Sequence, residues 1–269
     1  MDERLPDELA AALAATVAER GVFGARLHYA SEVGSTNDLA AAAADRGAPE
    51  GTTFVAGAQT VGRGRLGRAW FSPPGAGLYL SIVIRRASIA QWITLAAGVA
   101  VAEGVRSATG LPVQIKWPND IVAVGGTGFR ARRKVAGILA EASSGPDGLQ
   151  HVVVGIGINI GPAAFPPELA DRAGWIEGEL GRHVDTGPVL AQVLAALNRT
   201  VEELKSAGSP TLCTRWLELS PSAYGERIEW DAPHGVQTGV SAGLAGDGAL
   251  LARTADGLAR IIAGEVRWI

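Results

Sequence analysis

A chain of 269 residues that is 47% hydrophobic and 19% charged has the composition of a globular protein with a substantial core. Its formal charge of −3 excludes a general nucleic-acid coat, and its single cysteine excludes an internal disulfide framework or a multi-cysteine metal site. The acidic N-terminus, MDERLPDELAAALAATVAERG, lacks the pattern of a signal peptide, and no uninterrupted apolar run reaches membrane-spanning length, so a cytoplasmic protein without membrane association is expected.

Leu9, Leu13 and Val17 recur at helical spacing, which predicts an amphipathic helix over 6–20 ended by Gly21. A strand is expected at 27–33. Ser35, Thr36 and Asn37 are good N-cap residues ahead of an alanine-rich helix at 38–46. After an apolar, β-branched run at 52–56, the chain reads QTVGRGRLGRAW, and Gly62 to Gly67 match the dinucleotide fingerprint G-x-G-x-x-G. That reading fails on two counts. Pro73-Pro74-Gly75 leaves no room for the required helix, and no Asp or Glu lies between Glu50 and Glu103 to hold a ribose. The stretch is better described as a glycine loop carrying Arg63, Arg65 and Arg68, whose guanidinium groups suit phosphate or carboxylate. A plain solvated basic loop is the alternative.

Further on, a strand is predicted at 78–84, and Ile93, Ala97, Val101 and Val105 predict a buried helix over 90–108 stopping near Gly110. Short strands at 113–117 and 121–124 precede a basic, glycine-rich loop at 125–133 with Arg130, Arg132 and Arg133. Strands at 135–142 and 152–160 and helices at about 188–206 and 209–218 follow. From Tyr224 the texture changes to short strand-like runs at 227–230, 237–242, 249–252 and 260–262, separated by turn signals. That pattern predicts a small all-β barrel of about five strands.

The chemistry-bearing residues are unevenly spread. The chain has no G-x-S-x-G, its four histidines are scattered, and no metal-ligand spacing occurs, so no metal site is expected. Cys213 reads as a buried structural thiol. What stands out is Ser35-Thr36-Asn37, the arginine loop, Lys116-Trp117-Pro118-Asn119-Asp120 at a strand end, Lys134 heading KVAGILAE, and VVVGIGINIG, where Gly155 and Gly157 admit a close approach and Asn159 offers an amide. Each has an ordinary reading as a cap, a turn or a strand-edge lysine. Together they supply cations, aromatic surface and small hydrogen-bonding groups, with no nucleophile or base. Such a set suits a reaction that depends on neutralising and positioning anions, for instance joining a carboxylate to the α-phosphate of ATP.

GSTN (34–37), QTVGRGRLGRAWFSPPGAGLYLS (59–81), KWPND (116–120), KVAGILAE (134–141) and VVGIGINI (153–160) resemble the ordered motifs of biotin protein ligases, a likeness that covers about 27–269. The resemblance implies an α+β fold, a mixed β-sheet flanked by helices, with a small C-terminal SH3-like β-barrel. The corresponding parts are an N-terminal helical extension (1–26), a catalytic domain (27–220) and a C-terminal domain (221–269). It implies formation of biotinyl-5′-AMP from biotin and ATP, with Mg2+, and transfer of biotin to a lysine of a biotin carboxyl carrier domain. Ser35, Thr36, Asn37 and Gln59 would bind biotin. Arg63, Gly64 and Arg65 would close over its carboxylate, and Lys134 would act with Arg63 and Arg65 in catalysis. Arg65, Arg68, Lys116, Asn119, Asp120, Asn159 and Trp175 would line the ATP side. A lipoate ligase or lipoyl/octanoyl transferase shares the fold and is the nearest alternative; a DNA-binding biotin sensor is a second. Only 26 residues precede the first expected strand, so no specific DNA binding is expected, and a monomer or weak homodimer is.

Overall fold

In the computed structural model, which describes residues 3–125, 132–163 and 165–269, the chain forms two separate sheets. The larger has seven strands. β1 (Leu27–Ala30) pairs in parallel with β2 (Thr53–Ala56); β3 (Gly77–Ile84), β4 (Val113–Lys116), β5 (Asp120–Val124), β6 (Arg132–Gly145) and β7 (Gly148–Asn159) complete it. The spatial order is β1-β2-β3-β7-β6-β5-β4, and every pair after the first is antiparallel, so the sheet is mixed.

Strand alternation sorts the two faces. Leu80, Ile82, Ile138, Ile156 and Ile158 belong to the main core with α4 (Ile93–Thr109) and α7 (Thr186–Ala207). Val83 and Val153 point the other way and meet Ala40 and Ala44 of α3 (Thr36–Asp45). The stretch 87–109, a 3-10 turn plus α4, has the length and apolarity of a membrane span, yet 72% of its most apolar window is buried inside the protein. It is the central core helix.

The helix expected over 6–20 is two helices, α1 (Asp7–Ala15) and α2 (Val17–Arg20). Thr16 breaks them: its hydroxyl donates to Ala12 O at 3.0 Å, a local bond that competes with the helix. The buried Arg20 guanidinium then donates to Leu13 O at the end of α1 and to Phe23 O beyond α2, tying the two helices together. Both helices pack on α7. α5 (Pro167–Ala170) and α6 (Ile176–Leu180) were not expected, being too short for a periodic signal, while α8 (Ser209–Glu218) falls where the spacing placed it. β6 begins earlier than expected, so Arg132 and Arg133 are strand residues; Arg130 and the rest of 126–131 lie outside the described residues.

The smaller sheet contains β8 (Tyr224–Ala232), β9 (Gly235–Leu244), β10 (Leu250–Thr254), β11 (Gly257–Ile261) and β12 (Val266–Trp268), all antiparallel in the order β11-β10-β9-β8-β12. It is the SH3-like unit. Ile228, Trp230, Leu250 and Ile261 join the main core, so the two sheets share one apolar interior.

Two glycines of α4 separate propensity from packing. A Cβ on Gly104 would lie 2.7 Å from the backbone of Val193, whereas one on Gly98 would lie no closer than 3.7 Å to Ile115. Gly104→Ala is expected to destabilise by about 1–3 kcal/mol through overpacking. Gly98→Ala is expected to stabilise by about 0.5–1 kcal/mol through helix propensity. Urea unfolding of both variants checks the opposite signs.

Candidate functional site

The α3 face of the large sheet has a floor stripped of side chains. Gly137 and Gly157 are register partners on β6 and β7, and the indole of Trp70 lies across both. A Cβ at Gly157 would come within 2.2 Å of Trp70 Nε1, and one at Gly137 within 2.8 Å of the same ring. Gly155 likewise leaves space for Asn37, whose Oδ1 would stand 2.2 Å from a Cβ there. The close approach expected at Gly155 and Gly157 is therefore made by two of the chain's own side chains. Trp70, which the sequence reasoning did not place among the site residues, has a buried Nε1 with no acceptor among the described residues. The cleft around it measures about 50 Å³ and adjoins a cavity of about 310 Å³, with Arg65, Ile138 and Leu139 common to both.

One end of the cleft is a network of small polar groups. Gln59 Oε1 accepts from Thr36 N (2.9 Å) and Thr36 Oγ1 (3.0 Å), so the first turn of α3 is capped by a residue from another segment. Ser35 occupies the N-cap position but makes no capping bond through its side chain, and it lines the cleft. Gln59 Nε2 donates to Ser72 Oγ. Ser81 Oγ lies 2.7 Å from Thr36 Oγ1 and 2.5 Å from Asn37 Oδ1, and its one hydrogen satisfies only one of them at a time.

The cations differ in what occupies them. Arg63 is paired with Asp38 and Glu141, and these hydrogen bonds, that of Asp38 foremost, raise its pKa. Arg68 is paired with Glu265 at 2.6 Å, which holds the Glu265 carboxyl below its ordinary value. Arg65 instead donates to neutral acceptors, Asn119 Oδ1 (3.1 Å) and Gly264 O (3.4 Å), and burial pulls its guanidinium below its ordinary value. A partly desolvated cation on neutral partners is the member of the loop best placed to receive an anion.

Lys134 lines the cleft with Nζ 2.6 Å from Asp120 Oδ1 and 5.1 Å from the Trp70 ring centre. Its position depends on a register shift: Ile121 pairs with Ala136 but Val122 with Lys134, so Val135 is an extra residue. Without it, alternation would send Lys134 to the face opposite Gly137; the bulge re-aims the side chain.

Asn119 is oriented by donation from Nδ2 to Ile138 O (2.8 Å), and Asn159 Nδ2 donates to Gly174 O (2.9 Å) and, weakly, Lys134 O (3.5 Å). The two asparagines thus bracket the Lys134 end of the cleft. Trp175 stands at the start of α6, 6.1 Å from Phe165, with the Arg133 guanidinium 5.9 Å over its ring. Lys116 is set apart: it is half-buried, 4.7 Å over Trp268 of β12, and desolvation lowers its pKa. Lys116 and Arg68 are both turned to the C-terminal unit rather than into the cleft. No group of three or more His, Cys, Asp or Glu gathers as metal ligands among the described residues.

Comparison with known proteins gives consistent matches. A family model described as the biotin/lipoate A/B protein ligase family matches residues 32–159, and one described as the biotin protein ligase C-terminal domain matches 224–267. The bifunctional ligase/repressor BirA of Bacillus subtilis is 33% identical over 250 residues, 91% of this chain and 74% of that protein. A biotin–[acetyl-CoA-carboxylase] ligase of Mycobacterium tuberculosis is 32% identical over 219 residues, 78% of this chain and 76% of that one. The biotin protein ligase of Aquifex aeolicus, solved in complex with biotin and ATP, superposes with a TM-score of 0.77 at 30% identity, covering 91% of this chain and 99% of that one.

The bare floor has a direct test. Gly157→Ala is expected to push the Trp70 indole out of the cleft, which acrylamide quenching of tryptophan fluorescence should register as increased exposure. In a Trp70→Phe background the same substitution should leave the quenching unchanged.

Proposed function

The chain belongs to the biotin protein ligase family, and from that premise we propose that the cleft binds biotin and that the nucleotide lies at its Lys134 end, beside Asn119, Asp120, Asn159 and Trp175. The observation that carries this reading is the position of Arg65: a guanidinium on neutral partners, common to both cavities, close to the Lys134 end of the first. A carboxylate held in the cleft and an α-phosphate at its Lys134 end would meet there.

The chemistry follows in two steps. A carboxylate oxygen of biotin attacks the α-phosphorus of ATP; the new P–O bond gives biotinyl-5′-AMP as pyrophosphate leaves. The amine of a carrier lysine then attacks the carbonyl of that anhydride, forming an amide and releasing AMP. Neither step needs a nucleophile from the enzyme. The first needs two anions held together: Lys134 offsets their repulsion and the charge that builds on the phosphorus, while Arg65 holds the loop closed over them. Ser35, Thr36, Asn37 and Gln59 would hold the ureido ring, a polar head that needs a few well-placed partners in a mostly apolar slot. Arg63 and Gly64 would border biotin's carboxylate, and Asn119, Asp120 and Asn159 the nucleotide side. Trp175, with Phe165 beside it, would stack on adenine, while Arg68 and Lys116 would assist from the edge.

Magnesium would arrive on the triphosphate and supply charge neutralisation there. Among the described residues, carboxylates at this end are already shared with cations, Asp120 with Lys134 and Glu179 with Arg133. That sparse donor set fits an ion held mainly by phosphate oxygens and water.

For the carrier domain, β6 supplies an approach. Beyond Gly137 it is paired only with β7 among the described residues, so Leu139 to Gly145 present an unpaired backbone edge beside both cavities. Specific DNA binding is not part of this reading: the chain carries −3 net charge, and α1 and α2 are packed on α7.

Incubation with ATP, magnesium and either biotin or lipoate, followed by detection of the acyl-adenylate, tests the assignment. Biotinyl-AMP is expected, and lipoyl-AMP alone would transfer the chain to the lipoate branch of the fold. Lys134→Ala is expected to slow adenylate formation about 100- to 1,000-fold, as loss of one transition-state contact does, with little change in melting temperature. Arg65→Gly is expected to keep adenylation but leak the product, because the loop loses its bonds to Asn119 and Gly264. Streptavidin blotting of a bystander protein measures the leak; loss of adenylation as complete as in Lys134→Ala would make Arg65 part of the chemistry instead.

A further inference from the structure

We propose that Glu141 is a positioning residue that ties the arginine loop to the floor of the biotin cleft. What the cleft holds rests on the reading above; the tie itself rests on geometry. Glu141 lies seven residues beyond Lys134 on β6, on the same face as Gly137 and Leu139 by strand alternation. One of its oxygens, Oε2, accepts both Asn37 Nδ2 from α3 (2.5 Å) and Arg63 Nη2 from the loop (2.9 Å). Asn37 in turn lies over Gly155 and touches Ser81, so the carboxylate joins a floor side chain directly to the loop. Asp38, one residue further along α3, receives the other arm of Arg63.

The loop is thereby held from two sides. Arg63 fastens it to α3 and β6, the elements of the polar end, while Arg65 and Arg68 fasten it to Asn119, Gly264 and Glu265. Arg63 and Glu141 are each about two-fifths exposed, at 40% and 42%, so their pairing contributes little to global stability. A loop balanced between seated and lifted positions responds to much smaller energies than a folded domain does. Removing the tie should raise the lifted population about three- to five-fold. Arg63 on this view acts through its hold on the floor, with both arms of its guanidinium taken by Asp38 and Glu141.

Glu141→Gln and Glu141→Ala provide the test, because glutamine keeps one acceptor for Asn37 or Arg63 and alanine keeps none. In the ligand-free protein, hydrogen exchange of the 62–68 amides should be faster in Glu141→Ala and intermediate in Glu141→Gln. The KM for biotin and the release rate of biotinyl-AMP should each rise about three- to five-fold in Glu141→Ala. The single-turnover adenylation rate at saturating biotin should stay within about two-fold, with an unchanged melting temperature. Unaltered exchange, or an adenylation rate that falls while KM holds, overturns the proposal. Faster exchange in a protein whose wild type makes no biotinyl-AMP would uphold the tie and overturn the functional reading alone.

Discussion

The register between β6 and β7 is the constraint on which the site depends. It sets Gly137 opposite Gly157 and thereby makes a groove two strands wide in which an indole can lie flat on backbone. It also determines which face Leu139 and Glu141 occupy. A slip of one residue in either strand would exchange its site face for its core face. The apolar residues between them, Ile138, Ile156 and Ile158, hold that register by being buried under α4. The packing core and the binding floor are two sides of the same strands. The extra residue at Val135 departs from alternation, and it brings Lys134 to the side where the glycines are.

A second principle is the way charge is distributed. A loop with three arginines in six residues repels itself, and the fold answers by giving two of them carboxylate partners from different elements. Arg65 alone of the three donates to neutral oxygens. Lys134 has Asp120, a single carboxylate at 2.6 Å, and an aromatic face at 5.1 Å. Its ammonium is thus held in place with part of its charge still available to an incoming phosphate. The C-terminal unit participates directly, since Gly264, Glu265 and Trp268 meet Arg65, Arg68 and Lys116.

Much of this was legible from the sequence because it rests on local pattern. Apolar periodicity located the strands of the large sheet and the helices α4, α7 and α8, and turn signals located the C-terminal strands. The five motifs converge on one region, and the glycines at 155 and 157 announced a close approach. What approaches them was not legible, because Trp70 and Asn37 reach those glycines across separations that no periodicity encodes. The capping of α3 by Gln59 was hidden for the same reason, and Ser35 looked like the cap because the rule for N-caps is local. The bond between Arg68 and Glu265 spans 197 residues. The break at Thr16 is a case where a hydroxyl outweighed a correct hydrophobic spacing.

The placement of α4 has a consequence for the nascent chain. Its principal partners are β4 to β7, α7 and α8, all of which are synthesised after it. α4 ends at Thr109 and α7 at Ala207, so its apolar surface must wait for 98 further residues before its main cover exists. At about 5–20 residues per second that is roughly 5–20 s in which a segment with the apolarity of a membrane span has no native cover. The same helix that organises the finished core is therefore an apolar surface that the chain carries without its main cover while it is being made.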